Sequence, residues 1–258
     1  YNFQNRPPRN ASGNSLPPLP PRKDIAMTST SDITTIRARF EQARQGGLNA
    51  KEAAESLSLS EGQAIEAHAI THGAPDTRLS ATPLRPEWLA LLQALHGCGP
   101  LLALTRNESV VHEKTGVYEK LLGRGPLGLA AGADIDLRLF FDRWHAGYEV
   151  RERAAAGADR PEGRSLQFFD RHGVAVHKIR TREATCLNTW QAVCAAFAQP
   201  APAPVRFEPA PAREVPRPDT EIDAAGLARA WAEMGDAHQF SNLLQRFGAE
   251  RQQALRLV

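Results

Sequence analysis

SLQFFDRHGVAVHKIR (165–180) is two runs of alternating character, Ser165 to Phe169 and Val174 to Arg180, around Asp170-Arg171-His172-Gly173. Alternation with period two is the strand pattern, and a short polar turn ending in glycine joins antiparallel neighbours. Working outward, Ile135, Leu137, Leu139 and Phe141 alternate with Asp134, Asp136, Arg138 and Phe140, which predicts another strand. Leu101 to Thr105 and Ser109 to His112 also read as extended. Residues 185–197 return to helical spacing with Leu187, Trp190, Val193, Cys194 and Phe197. Upstream, 86–96 predicts a helix with Pro86 in its first turn and a stripe of Trp88, Leu89, Leu92 and Leu95. Helices, then strands, then a helix, with no βαβ alternation, is the order of an α+β fold with a largely antiparallel sheet.

The N-terminal part of this body is helical. Ile33, Ile36 and Phe40 keep helical spacing and Gly46-Gly47 stops the run. Asn49 with Glu52, and Ser60 with Gln63, stand at capping spacing for two further short helices. Three short helices resemble a helix-turn-helix. The third carries Glu61 and Glu66 and no cation, so it lacks what holds a helix on DNA, and no nucleic acid is expected.

Two proline-rich segments divide the chain. Residues 1–26 hold six of the 19 prolines and little to bury, and read as a disordered leader ahead of Met27. Within it, Pro17 to Arg22 fits a PxxPxR pattern that docks on SH3-type grooves, the basis of an interaction-module reading. Residues 200–220 carry seven more prolines and read as a semi-rigid spacer. The expected organisation is therefore a leader (1–26), an α+β body (27–199), a linker (200–220) and a helical tail (221–258). The tail repeats the opening of the body: Leu227, Trp231 and Met234 form a stripe, Asp236 caps a new helix, Gly248 stops it, and a third helix starts near Glu250. Its abrupt apolar finish suggests a second copy that is only begun.

Composition removes several classes. Of 258 residues, 42% are hydrophobic and 23% charged, which suits a soluble globular body. The longest apolar stretches, Pro100 to Leu104 and Leu127 to Ala131, are too short to cross a bilayer, so no membrane insertion is expected. Thirty-one basic and 29 acidic residues nearly balance. Cys98, Cys186 and Cys194 make neither a disulfide scaffold nor a four-thiolate zinc site and suit a reducing cytoplasm. Cys98, between two glycines, is a candidate exposed thiol. No Ser-His-Asp spacing, GxGxxG or P-loop supports a hydrolase, dehydrogenase or NTPase. His68 and His72 have i,i+4 spacing but no intervening glutamate of the zincin kind.

TRNESVVHEKTGVYEKL (105–121), DIDLRLFFDRWHAGYEV (134–150), SLQFFDRHGVAVHKIRTR (165–182) and EMGDAHQFSNLLQRFGAERQQALRLV (233–258) together resemble the bacterial hemin-degrading factor family of HemS/HmuS type. The resemblance covers about 31–198 and 221–258, with most of the second repeat lacking a counterpart. It implies a cytoplasmic protein of heme uptake and iron acquisition, with two similar α+β repeats and heme as the bound cofactor in a cleft between them. Members either degrade heme or pass it to a separate heme oxygenase. The resemblance carries the axial histidine onto His238, the distal arginine onto Arg106, and a propionate-contacting arginine onto Arg251. The second phenylalanine that usually follows the HQF motif is Ser241 here.

Each residue has a plainer alternative. A neutral imidazole is a normal axial ligand of heme iron, and a place in the first turn of a helix capped by Asp236 would keep His238 neutral. Otherwise His238 is a structural histidine beside Met234 and Phe240. Arg106 is either a hydrogen-bond donor to a small ligand on the iron, and so catalytic, or a strand-end arginine paired with Glu108 or Glu113. Arg251 either pairs with a propionate or is an exposed helix arginine. His112 is a candidate for the cleft lining, whereas His145, His172 and His177 read as solvated edges. Two readings of the whole use the same residues: a heme-degrading enzyme fed by a reductase partner, and a non-enzymatic carrier delivering heme to a heme oxygenase. An exposed half-cleft would favour a homodimer.

Overall fold

The computed structural model describes residues 30–73, 77–107, 110–154, 161–200, 202–211, 216–236 and 239–258. The leader, Glu108 and His238 lie outside the described residues. The chain divides into two compact units, one ending at Ala210 and one running from Pro211 to Val258.

The first unit is α+β, and every pairing of its strands is antiparallel. Helices α1 (Thr30–Gln45), α2 (Ala50–Ser56) and α3 (Glu61–Ala67) lead into β1 (Leu79–Pro83) and α4 (Trp88–Ala94). Strands β2 (Leu101–Arg106), β3 (Val111–Gly116), β4 (Leu121–Arg124), β5 (Leu127–Ala131), β6 (Asp136–Phe140), β7 (Ala146–Glu152), β8 (Gly163–Phe169) and β9 (Ala175–Thr181) follow, then α5 (Leu187–Phe197). A six-stranded sheet has the order β1-β7-β8-β9-β2-β3, and β4-β5-β6 form a second sheet. One apolar cluster joins α4, α5 and the small sheet around Trp88, Leu92, Phe168, Ile179 and Trp190. The other joins α1–α3 to the main sheet around Phe40, Ile65, Tyr148 and Phe169. The main sheet, apart from its exposed edge strand β3, is thus covered on both faces.

Local chemistry accounts for most boundaries. Asn49 and Ser60 each close a full capping box, with Glu52 and Gln63. Gly47 takes φ +92° where α1 ends. The turn 170–173 is held by Asp170, whose Oδ1 accepts from the amides of His172 and Val174 at 2.8 and 2.9 Å. Gly173 has φ +74°, and a Cβ there would stand 2.1 Å from Ser60 Oγ. Its carbonyl accepts from the Gly62 amide at 2.9 Å, so the hairpin turn is tied to the start of α3.

Several expectations need correction. Strands β1, β4, β5 and β7 are not among the expected strands: β1 alternates but is only five residues long, and the sequences of β4, β5 and β7 alternate weakly. The β4–β5 pair is short and glycine-rich, and Gly147 of β7 stands where a Cβ would meet Trp88 at 2.8 Å, so small residues replace the usual apolar signal. Of the expected extended run Ser109 to His112, Ser109 lies outside the described residues and Val111 and His112 open β3. Cys98 is fully buried; the exposed thiol is Cys186. His177 is buried against Tyr118, Trp144 and Phe168 rather than solvated. The third helix of the helix-turn-helix-like run, α3, buries six of its seven residues. His68 caps α3, and His72 lies in a separate 3₁₀ turn paired with Glu66, so they share no helix face. Among the described residues no cluster of histidine, cysteine and acidic side chains is poised for a metal ion, and no helix is long and apolar enough to cross a membrane.

The proline-rich segment is only partly a spacer. The Val205 amide donates to Glu66 at 3.1 Å and the Glu208 amide to the Arg171 carbonyl at 2.8 Å. Phe207 packs edge-on to Phe169. Val205 and Phe207 are the apolar residues within the Ala-Pro run, and they dock its first half on the first unit.

In the second unit, α6 (Ala224–Ala232), α7 (Phe240–Phe247) and α8 (Arg251–Leu257) enclose Ile222, Leu227, Leu243, Ala249 and Ala254. Gly248 ends α7 in the left-handed region at φ +61°. Glu250 and Gln253 form the capping box of α8. α7 starts at Phe240 with Gln239 at its N-cap, and residues 237 and 238, which follow the expected cap at Asp236, lie outside the described residues.

Gly173→Ala combines a left-handed φ with a steric conflict and is expected to cost more than about 1 kcal/mol. Thermal unfolding checks this: the midpoint should fall by at least about 2 °C, given the size of the unit.

Candidate functional site

Arg106 is the last residue of β2, opposite Val111 in the ladder. The next turn is closed by Asn107, whose Oδ1 accepts from the Val110 amide at 2.8 Å. Among the described residues, the guanidinium pairs neither with Glu113 nor with another side chain of its own hairpin; Glu108 lies outside them. It donates through Nη2 to Glu61 Oε2 at the start of α3. Glu61 Oε1 accepts from Lys178 Nζ on β9. The side chains of Glu61 and Lys178 are 4% and 3% exposed, whereas that of Arg106 is 21% exposed. One buried carboxylate therefore links a buried cation to a half-exposed one.

Arg106 stands at a cavity of about 410 Å³ shared with Lys51, Glu61, Asn107, Val174 and Val176. Cationic donors beside an apolar wall suit an amphipathic ligand with an anionic part, and heme, a flat apolar ring with carboxylate arms, has that chemistry. His112 on β3 is exposed and paired across from Thr105. In the second unit, Arg251 is the exposed first residue of α8, and its guanidinium lies 5.7 Å from the centroid of the Phe240 ring. Phe240 also packs on Trp231, centroids 4.6 Å apart. Arg251 is thus held beside Phe240 at the start of α7.

Electrostatics follow burial. Burial pushes the Glu61 carboxyl up, but Lys178 and Arg106 outweigh it and hold the group below the usual carboxylate range. Burial lowers Lys178 to about 8 against the pull of Glu61. His68 and His177 are both lowered to about 4 by burial. Glu66, which accepts from Tyr148 at 2.6 Å, is raised by burial.

Sequence reasoning missed Glu61 and Lys178 as partners of Arg106. Lys178 is a charge inside an alternating strand, a position normally apolar. Glu61 lies 45 residues from Arg106 and 117 from Lys178, and no local pattern joins them.

Comparison with known proteins fits this architecture. The family described as "Haemin-degrading HemS.ChuX domain" matches residues 59–197, more than half of the chain, and the chain belongs to that family. Among individual relatives, the hemin transport protein HmuS of Yersinia pestis is 34% identical over 218 residues, covering 84% of this chain and 59% of that protein. The hemin transport protein HemS of Yersinia enterocolitica is 36% identical over 220 residues. The chain therefore spans about 59% of the length of these relatives. The crystal structure of holo-PhuS, a heme-binding protein from Pseudomonas aeruginosa, superposes with a TM-score of 0.75 at 37% identity, covering 89% of this chain and 63% of that one. The heme degrading enzyme ChuS of Escherichia coli O157:H7 gives 0.71 at 28% identity, covering 88% and 62%.

The depressed histidines set the acid limit of the first unit. Each folded value lies below the ordinary value of 6.5, so each contributes stability that is whole above 6.5 and is lost as pH falls toward 4. Glu66 acts in the opposite sense. Urea unfolding at pH 7 and pH 5 is expected to show a loss of about 2 kcal/mol per buried histidine at pH 5. His177→Gln should remove about half of that pH dependence.

Proposed function

We propose that the chain is a cytoplasmic heme-binding protein of heme utilisation, with His238 as axial ligand of the iron. Membership of the family is the observation that carries this reading. Arg106, at the edge of its cavity, is the hydrogen-bond donor to a small ligand of the iron, and Arg251 is the cation for a propionate. Bound heme supplies the redox-active iron. The chain supplies a ligand, donors held in place and apolar walls that exclude water. The free thiols of Cys98, Cys186 and Cys194 accord with a reducing compartment.

Degradation is the first reading, with electrons from a reductase partner; delivery to a separate heme oxygenase is the second. Both find support among the relatives, since ChuS is described as a heme degrading enzyme and HmuS as a hemin transport protein.

Titration of heme into the purified chain should give a saturable Soret band, and His238→Ala should bind at least about tenfold more weakly. Equal bands in the two proteins would sink the assignment of His238. Ascorbate in air with catalase then separates the two readings: a bleaching band indicates degradation, a stable one delivery.

A further inference from the structure

Glu61 is unusually well anchored for a charged residue. It opens α3 behind the Ser60–Gln63 capping box, and the amide of its neighbour Gly62 is tied to the Gly173 carbonyl. Its two oxygens are divided between two cations, Lys178 on Oε1 and Arg106 on Oε2. A buried ion pair such as Glu61–Lys178 is a poor source of stability, because an apolar pair of similar volume usually does as well. Burial already pulls the Lys178 ammonium toward its neutral form, a sign that the arrangement is electrostatically costly. The pair needs another reason, and the half-exposed Arg106 at its outer end supplies one.

We propose that Glu61, itself fixed by Lys178, is the positioning residue for Arg106 and holds the guanidinium in one orientation at the cavity so that its outer N–H groups meet an anion. A guanidinium has five N–H donors in a rigid fork, so fixing one nitrogen orients the rest. One carboxylate between two cations leaves the cluster net positive. Lys51 and Glu55 on the same cavity pair with each other at 3.7 Å and nearly cancel. The anion is the small ligand of the iron, so the inference rests on the reading of Arg106 given above.

Two measurements test it, one without heme. In the heme-free chain, nitrogen-15 spectra of the Arg106 side chain, assigned with Arg106→Lys, should show restricted rotation of the guanidinium. The Glu61→Gln/Lys178→Met variant, which removes both buried charges together, should show it averaged. In the heme-loaded chain, fluoride is the probe. Arg106→Leu should weaken fluoride binding about tenfold, the worth of one charge-assisted hydrogen bond. Glu61→Gln/Lys178→Met should lose a similar factor although Arg106 is present, and combining the three changes should add nothing. If the double variant does not fold, Glu61→Asp, which keeps the charge and shortens the arm, should give partial averaging and a fluoride loss of a few-fold. Full fluoride affinity in the variant, or a guanidinium equally restricted in both proteins, overturns the proposal. Absence of a His238-dependent Soret band would overturn the heme reading, while the heme-free spectra still decide whether Glu61 positions Arg106.

Discussion

The contact between the turn 170–173 and the start of α3 governs the first unit. Gly173 is in the left-handed region, its carbonyl takes the Gly62 amide, and Ser60 sits where any larger residue at 173 would need to be. This close approach, between residues 111 positions apart in the chain, joins two layers: the helices around Phe40 and Ile65, and the hairpin of β8 and β9. It also sets the height of α3 over the sheet. Glu61 is the first residue of that helix, so the same junction brings its carboxylate within reach of Lys178 on β9 and Arg106 at the end of β2. Phe207 closes the junction from the linker side, with its ring against the Cβ positions of both Gly62 and Gly173. Structure and site depend on one steric constraint.

The elements that were legible in the sequence are those whose signals are local. The capping boxes at Asn49 and Ser60, the glycine stop at Gly47 and the hairpin turn with Gly173 lie within a few residues of what they control. The period-two run from Ile135 to Leu139 is visible because one face is buried and the other wet, down to the exposed Phe140. β7 was illegible for the opposite reason. It is buried on both faces, and its core-facing positions include Gly147 under Trp88 and the buried Glu149, so no alternation survives. The same blindness hid the buried His177, which reads as a polar strand residue and is a core residue whose Nε2 pairs with the Tyr118 hydroxyl.

For the site, the motif around Arg106 was readable and its partner was not. An arginine at a strand end suggests a partner from its own hairpin, because only local acids can be seen in sequence. The ladder puts Glu113 opposite Leu104, two positions back, while the fold offers Glu61 from another layer. A buried acid gains more from a guanidinium than an exposed one does, since the low dielectric strengthens the attraction and its desolvation is already incurred. Burial thus decides the pairing in favour of the distant residue.

A parallel between the two units sharpens the point. α3 and α8 are both seven residues long, both are led by a capping box ending in glutamine, and their first residues, Glu61 and Arg251, stand 190 positions apart. At the first, the chain places a buried anion that holds another residue's guanidinium. At the second, it places an exposed guanidinium over an aromatic ring. An anion there turns the helix start inward, toward cations of its own sheet. A cation there gains little from its own helix, whose N-terminus carries positive partial charge, and is disposed toward a negative partner outside it. The opposite charges at these two helix starts thus meet opposite surroundings, one buried between cations of its own unit and the other exposed over an aromatic ring.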